Sequence, residues 1–350
     1  MWKIARRLVL PLVLLCAGTA GAEEVKPLPA LGADLQQVSV SGISSGGFMA
    51  AQLATAYSAT FKGVGVIAGG PFYCSGSYGP PTLAAAFAVC LEPQVAAVGP
   101  NGKVLLQKAE KFERQNDIDE LKNLARQRVY IFSGLRDKTV KTMVVDQIGA
   151  YYSAAGTPPG NIMYQRHEEA GHAIMTDDNH DPDCKLSTTP FINNCGFMQS
   201  HVLLKFILGQ QSKPANPASK VSGEIIAFDQ SRFIHGERVS MDKVAYLYVP
   251  AYCRANSCGV HVALHGCLQN AGRLGALFYT HTGYNEFADT NHLLVLYPQT
   301  ADEPVFNPKG CWDFWGYSDA GKGKPEFYTR RAPQMRAIME MVQQLGQPRI

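Results

Sequence analysis

Val38-Ser39-Val40-Ser41-Gly42-Ile43-Ser44-Ser45-Gly46-Gly47-Phe48-Met49-Ala50-Ala51-Gln52-Leu53 joins two kinds of pattern across one turn. Val38 to Val40 reads as a buried strand, and Phe48 to Tyr57 as a helix with Met49, Leu53 and Tyr57 at helical spacing. Between them lies Gly42-Ile43-Ser44-Ser45-Gly46, a Gly-x-Ser-x-Gly sequence on a strand-to-helix turn. So tight a turn demands small neighbours, which Gly42 and Gly46 supply. It also leaves Ser44 exposed at a helix N-terminus, where backbone N–H groups favour developing negative charge. The competing reading is a Gly/Ser-rich turn in which Ser45 caps the helix. The strand–turn–helix context favours a nucleophile elbow, with Ser44 as the candidate nucleophile.

Outward from the elbow, short β-rich runs alternate with longer helical ones. Val64–Ala68, Val129–Phe132 and Ile162–Arg166 read as strands, and Lys103–Arg126, Asp146–Ala154 and Met198–Leu208 as helices. Ser212–Ser219, polar with two prolines, reads as a connector. Beyond it, Gly223–Phe228 and Val244–Val249 are candidate antiparallel strands. His261–Leu264 and Leu293–Tyr297 are further strands, and Thr282–Thr290 and Pro333–Leu345 are helices. The alternation predicts an α/β fold of the α/β-hydrolase type, its mostly parallel central sheet covered on both faces. A chain of this length is compatible with one such domain or two.

A serine hydroxyl needs a general base, itself oriented by a carboxylate. In this fold the acid and the histidine follow later strands, in the order Ser, Asp, His. The Val129–Phe132 strand runs into Ser133-Gly134-Leu135-Arg136-Asp137, and the next leads to Glu168-Glu169-Ala170-Gly171-His172. Asp137 and His172 therefore fall on loops past strand ends, where sites of open α/β sheets gather. His167, His180 and His201 are weaker candidates for the base, and Asp177 or Asp178 compete with Asp137.

The backbone N–H of Ser45 is the first expected oxyanion donor. The second normally comes from a His-Gly loop after an earlier strand, and nothing before Ser44 provides one. The matching pattern, Val262-Ala263-Leu264-His265-Gly266-Cys267, lies far downstream, so the N–H of Cys267 or its neighbour is the candidate. His265 itself reads as a structural histidine. This displacement implies a circular permutation, with the chain opening just before the nucleophile strand. It requires the His265-Gly266-Cys267 backbone to lie beside Ser44.

Lys3, Arg6 and Arg7 followed by the apolar run Leu8–Cys16 and by Ala20-Gly21-Ala22 read as a signal peptide, cleaved before Glu23. The run is too short to span a bilayer, and no lipoprotein or other membrane anchor is expected. The segment holds three of the 32 basic residues, leaving 29 basic against 29 acidic. No basic stripe remains to suggest nucleic acid. Cys74, Cys90, Cys184, Cys195, Cys253, Cys258, Cys267 and Cys311 form an even set in an exported chain, hence four disulfides. Connectivity is open among 105 arrangements, the short spacings favouring consecutive partners. Metal-ligand spacings are absent.

Taken together, Ser41–Leu53, Val262–Gln269, Thr282-Gly283-Tyr284-Asn285, Leu296-Tyr297-Pro298-Gln299 and Gly310-Cys311-Trp312-Asp313 resemble short-chain-length polyhydroxyalkanoate depolymerases. The similarity is greatest to the circularly permuted, fungal-type single-domain poly(3-hydroxybutyrate) depolymerases, and it spans nearly all of the chain after residue 22. The resemblance implies Ser44, Asp137 and His172 as triad and the Ser45 and Cys267 amides as oxyanion hole. It also places Trp312 beside the substrate, against a competing reading as core packing with Phe314, Trp315 and Tyr317. The charged stretch around Lys108 to Arg126 departs from the family. The expectation is a secreted, extracellular or periplasmic, monomeric serine esterase acting on a polyester or hydroxyalkanoate oligomer without metal or cofactor. Residues 23–350 then form one catalytic domain with no separate polymer-binding domain. An esterase on feruloyl or acetyl groups of polysaccharide, and a non-catalytic binding protein on the same fold, are the rival readings.

Overall fold

The structure, a computed structural model, describes residues 25–209, 216–236, 238–319 and 323–349. The signal segment lies outside them, as does part of the Ser212–Ser219 connector. In chain order the strands are β1 (Val38–Ile43), β2 (Phe61–Ile67), β3 (Arg128–Gly134), β4 (Ile162–His167), β5 (Ile174–Thr176), β6 (Ile192–Asn194), β7 (Glu224–Asp229), β8 (Val244–Val249), β9 (Gly259–Leu264) and β10 (Leu293–Tyr297). Eight form one sheet in the order β4-β3-β2-β1-β9-β10-β8-β7, and β5 and β6 pair separately. From β4 to β10 every neighbouring pair is parallel, whereas β8 runs antiparallel to both β10 and β7.

The strand sequences explain a sheet covered on both faces. β1, β9 and β10 are buried at every residue, as a central parallel strand must be. Side chains alternate between two cores. Val129, Ile131, Val260, Val262, Leu294 and Leu296 join the first, with residues of the helices Ser45–Ala56 (α1), Gly102–Arg114, Thr142–Ala154 and Pro333–Gly346. Tyr130, Phe132, Ala263, Val295 and Tyr297 join the second, with residues of the helices Gln199–Ile207 and Tyr284–Asn291. All twelve residues of α1 are buried, which suits its sequence of small and apolar residues without a charge.

β1 lies between β2, its neighbour in sequence, and β9, more than 200 residues on, with Gly42 level with Val66 and Leu264. One sheet therefore holds strands from both sides of the connector. The N–H groups of Leu31 and Ala33 donate to the Leu345 carbonyl at 3.1 and 3.0 Å, and that of Gly32 to Gln347 at 2.9 Å. The segment leading into β1 is thus stitched to the end of the last helix, where an unpermuted chain would pass from one to the other. The permutation is present.

The continuous helix expected over Lys103–Arg126 breaks at Arg114, and a 3₁₀ segment covers Leu121–Arg126. Asn116 adopts the left-handed conformation at φ 58°, and the N–H groups of Asn116 and Asp117 close back on Glu113 and Phe112. Arg331 and Lys324 then hold the Asp117 carboxylate. The disulfides join consecutive cysteines: Cys74–Cys90, Cys184–Cys195, Cys253–Cys258 and Cys267–Cys311.

Candidate active site

Ser44 follows the last residue of β1 and precedes α1, with φ 57° and ψ −123°, a conformation a non-glycine residue holds only when its surroundings enforce it. Its N–H donates to the Ile67 carbonyl at 2.9 Å, and its carbonyl accepts from Phe48 at 3.0 Å. Neither serine caps the helix: the Ser44 side chain makes no capping bond, and the Ser45 hydroxyl accepts the Trp312 N–H at 3.2 Å. At Gly46 a Cβ would stand 2.4 and 2.5 Å from the carbonyl oxygens of His265 and Leu264. The glycine is what lets the end of β9 lie against the elbow.

β3 ends three residues before Asp137, and β4 ends five before His172. The two loops are tied together, because the N–H groups of Leu135 and Arg136 donate to His167 and Ala170 at 2.9 and 3.0 Å. Asp137 Oδ1 accepts from the backbone of Thr139 at 2.7 Å and Val140 at 2.9 Å, while Oδ2 lies 2.7 Å from His172 Nδ1. Only 1% of the Asp137 side chain and 4% of His172 are exposed. The backbone N–H of His172 donates to Ser187 Oγ at 2.9 Å, and the Phe191 ring stands edge-on to the imidazole.

Ser44, His172, Gly266 and Cys267 share the wall of one cavity of about 310 Å³. Gly266 is packed so closely that a Cβ would meet Gln269 Oε1 at 2.9 Å and Ser44 Cβ at 3.2 Å. Among the described residues no backbone acceptor is bonded to the N–H of Ser45 or of Cys267. His265 is a structural residue. Its Nε2 accepts the Thr300 N–H at 3.2 Å, its Nδ1 lies 2.7 Å from the Gly266 carbonyl, and complete burial pushes its pKa down to about 4. It is therefore neutral, with the proton on Nδ1.

Trp312 does not line the cavity. It is wholly buried, its indole N–H donating to the His265 carbonyl at 3.0 Å. The aromatic wall is made instead by Phe87, Phe191, Phe306, Phe314 and Trp315. The rival histidines lie elsewhere: His167 stacks on Phe197, His180 pairs with Asp178, and His201 packs near Phe287. Sequence reading did not anticipate Ser187, Gln269 or the Leu83–Leu91 wall. Only the aromatic density after Cys311 hinted at Phe314 and Trp315.

A strand–turn–helix elbow carrying Ser44, a buried Asp–His pair and a His-Gly loop at one edge of a mostly parallel sheet define the α/β-hydrolase class of fold. No family model matches the chain. It is 39% identical over 335 residues to the poly(3-hydroxybutyrate) depolymerase of Delftia acidovorans, covering 94% of this chain and 63% of that protein's length. It is 36% identical to the polyhydroxybutyrate depolymerase of Talaromyces funiculosus, over 83% of this chain and 85% of the relative. Among solved structures, a serine-to-alanine PHB depolymerase complexed with an R3HB trimer superposes with a TM-score of 0.80 at 34% identity. The PHB depolymerase from Penicillium funiculosum gives 0.79 at 33%, and each match covers 92% of this chain and 99% of the other. The chain belongs to the poly(3-hydroxybutyrate) depolymerase family.

Proposed function

We propose that this chain hydrolyses ester bonds of poly(3-hydroxybutyrate) or its oligomers through Ser44, His172 and Asp137. The observation that carries the reading is the buried 2.7 Å Asp137–His172 contact in a cavity whose wall also holds Ser44 and the His265-Gly266-Cys267 loop. His172, its Nδ1–H directed to Asp137, takes the Ser44 proton at Nε2 as Oγ attacks the ester carbonyl. The N–H groups of Ser45 and Cys267 hold the oxyanion. The imidazolium then protonates the departing alcohol, and a water molecule, deprotonated by His172, hydrolyses the acyl-enzyme. No step calls for a metal or organic cofactor.

The cavity wall suits a neutral aliphatic polyester, being apolar with few polar groups. Leu83 and Phe87, in that wall, are each about half exposed (51% and 50%), so a chain entering the cavity meets apolar side chains at its mouth. Trp312 acts from behind the oxyanion loop. Residues 1–22 direct export and residues 23–350 act as one monomeric catalytic domain. The four disulfides support an oxidising compartment, extracellular or periplasmic. Among the described residues no helix is long and apolar enough to cross a membrane.

The test is product analysis on amorphous poly(3-hydroxybutyrate) with the wild type and Ser44→Ala. Hydroxybutyrate or its oligomers should accumulate with the wild type alone. Release of ferulate or acetate from plant polysaccharide, without attack on the polyester, would redirect the substrate. Failure to hydrolyse any ester would favour a binding protein.

A further inference from the structure

One buried side chain ties the oxyanion loop to the loop that shelves the histidine. Gln269 is 1% exposed. Its Oε1 accepts the Gly266 N–H at 2.7 Å, and its Nε2 donates to the carbonyls of Pro190 and Phe191 at 3.0 and 3.1 Å. Both N–H bonds of the carboxamide and its oxygen are therefore engaged. On one side, Gly266 directly precedes Cys267, which lines the cavity with Ser44 and His172. On the other, Phe191 carries the ring set edge-on to His172. Its backbone is held at φ 56°, and its carbonyl also accepts from Ile174 at 3.0 Å. The same stretch includes Ser187, the acceptor for the His172 N–H. The permuted chain brings these loops together from positions 79 and 78 residues away from Gln269.

We propose that Gln269 is a positioning residue that sets the oxyanion donor of Cys267 against the general base His172. The proposal rests on the reading of Ser44 as nucleophile. Only a carboxamide satisfies this place: a carboxylate keeps the bond to Gly266 but turns an oxygen toward two carbonyl oxygens, and an aliphatic chain leaves the Gly266 N–H and the Pro190 carbonyl without their partner. A loop displaced by part of an ångström moves the Cys267 N–H away from the developing oxyanion while leaving Phe87, Phe306, Phe314 and Trp315 of the apolar wall in place. The loss therefore falls on kcat rather than KM.

The test measures kcat and KM on p-nitrophenyl butyrate, and the Ki of 1-butaneboronic acid, whose tetrahedral serine adduct mimics the oxyanion. Gln269→Glu and Gln269→Leu are compared with Gln127→Leu. Gln127 is equally buried, but its amide donates to Ala54 and Phe61 at the other end of the sheet. Both Gln269 variants should lose about tenfold or more in kcat with KM within about twofold, and Ki should rise by the same factor. Gln127→Leu should lower Tm and leave kcat and Ki unchanged. If Gln269→Leu does not fold, the isosteric Gln269→Glu decides. Loss of activity only in proportion to a fall in Tm, as for Gln127→Leu, would overturn the proposal. So would a raised KM at unchanged kcat, which marks a substrate contact. A wild type unable to hydrolyse the ester overturns the nucleophile reading as well. Hydrolysis abolished by Ser44→Ala but untouched in both Gln269 variants overturns this proposal alone.

Discussion

Replacing Asp137 by asparagine should reverse the imidazole tautomer without disturbing the loop. Two backbone N–H groups, of Thr139 and Val140, converge on Oδ1 at 2.7 and 2.9 Å, and Oδ2 faces His172 Nδ1 at 2.7 Å. In Asp137→Asn the amide oxygen must take the Oδ1 place, since an NH₂ there would confront two donors. The NH₂ is then turned on Nδ1, which must accept, so the proton moves to Nε2. A ring protonated at Nε2 cannot take the Ser44 proton. For a Ser-His-Asp triad this costs about 10⁴ in kcat, or about 5.5 kcal/mol at 1.36 kcal/mol per decade. All three hydrogen bonds persist in reversed polarity at the third, so Tm should stay close to that of wild type. Initial rates on p-nitrophenyl butyrate at pH 8 provide the assay, with Asp178→Asn in parallel. Asp178 lies beside exposed His180, and its loss should change kcat by less than about twofold. Asp137→Asn retaining more than about a tenth of wild-type kcat would refute the reasoning, as would a large loss in Asp178→Asn.

The remaining expectations concern the frame around the triad. Gly266→Ala sets a Cβ 2.9 Å from Gln269 Oε1 and 3.2 Å from Ser44 Cβ, so kcat on p-nitrophenyl butyrate should fall by about tenfold or more; unchanged kinetics would mean the loop is not held against the elbow. Trp312→Phe leaves the buried His265 carbonyl without its indole donor and should cost about 1–3 kcal/mol in denaturant melts with KM for hydroxybutyrate oligomers unchanged, whereas Trp315→Ala should raise that KM. Burial lowers the pKa of His261 to about 3 and of His265 to about 4, below the unfolded value near 6.5. Because the folded pKa is depressed, each histidine's contribution is fully present above pH 6.5 and is lost as pH falls toward 4, by about 1.4 kcal/mol per pH unit each. Melts between pH 7 and 4 should show this slope, and His261→Gln should reduce it. Intact mass should rise by the eight hydrogens of four disulfides on reduction, and a smaller shift would leave a pair unformed.

What was legible in the sequence was local, and what was hidden depended on chain segments meeting from far apart. Ser44, Asp137 and His172 each follow a strand whose apolar run is visible by itself, so their loops could be placed without knowing the sheet order. The consecutive disulfides were suggested by short spacings, down to the sequence separation of 5 for Cys253 and Cys258. Trp312 and Trp315, three residues apart on one loop, show the limit. Composition cannot tell which ring turns inward, because that is decided by Asp313, whose Oδ1 gathers the N–H groups of Trp315, Gly316 and Tyr317. The Lys103–Arg126 helix failed for the same reason: its break at Asn116 and Asp117 is anchored by arginines more than 200 residues later.

The permutation was the exception, a long-range fact readable from order alone. A strand followed by a His-Gly loop has little use at the end of a chain unless it lies beside a nucleophile strand. β1 and β9 satisfy that demand by pairing in parallel, with Gly42 level with Leu264. Because parallel neighbours place their C-terminal ends at the same edge, this register alone sets His265-Gly266-Cys267 beside Ser44, whichever strand comes first in the chain. Chemistry at the edge is therefore indifferent to where the chain opens, provided the opened ends stay stitched. The bonds from Leu31, Gly32 and Ala33 to Leu345 and Gln347 supply that stitch.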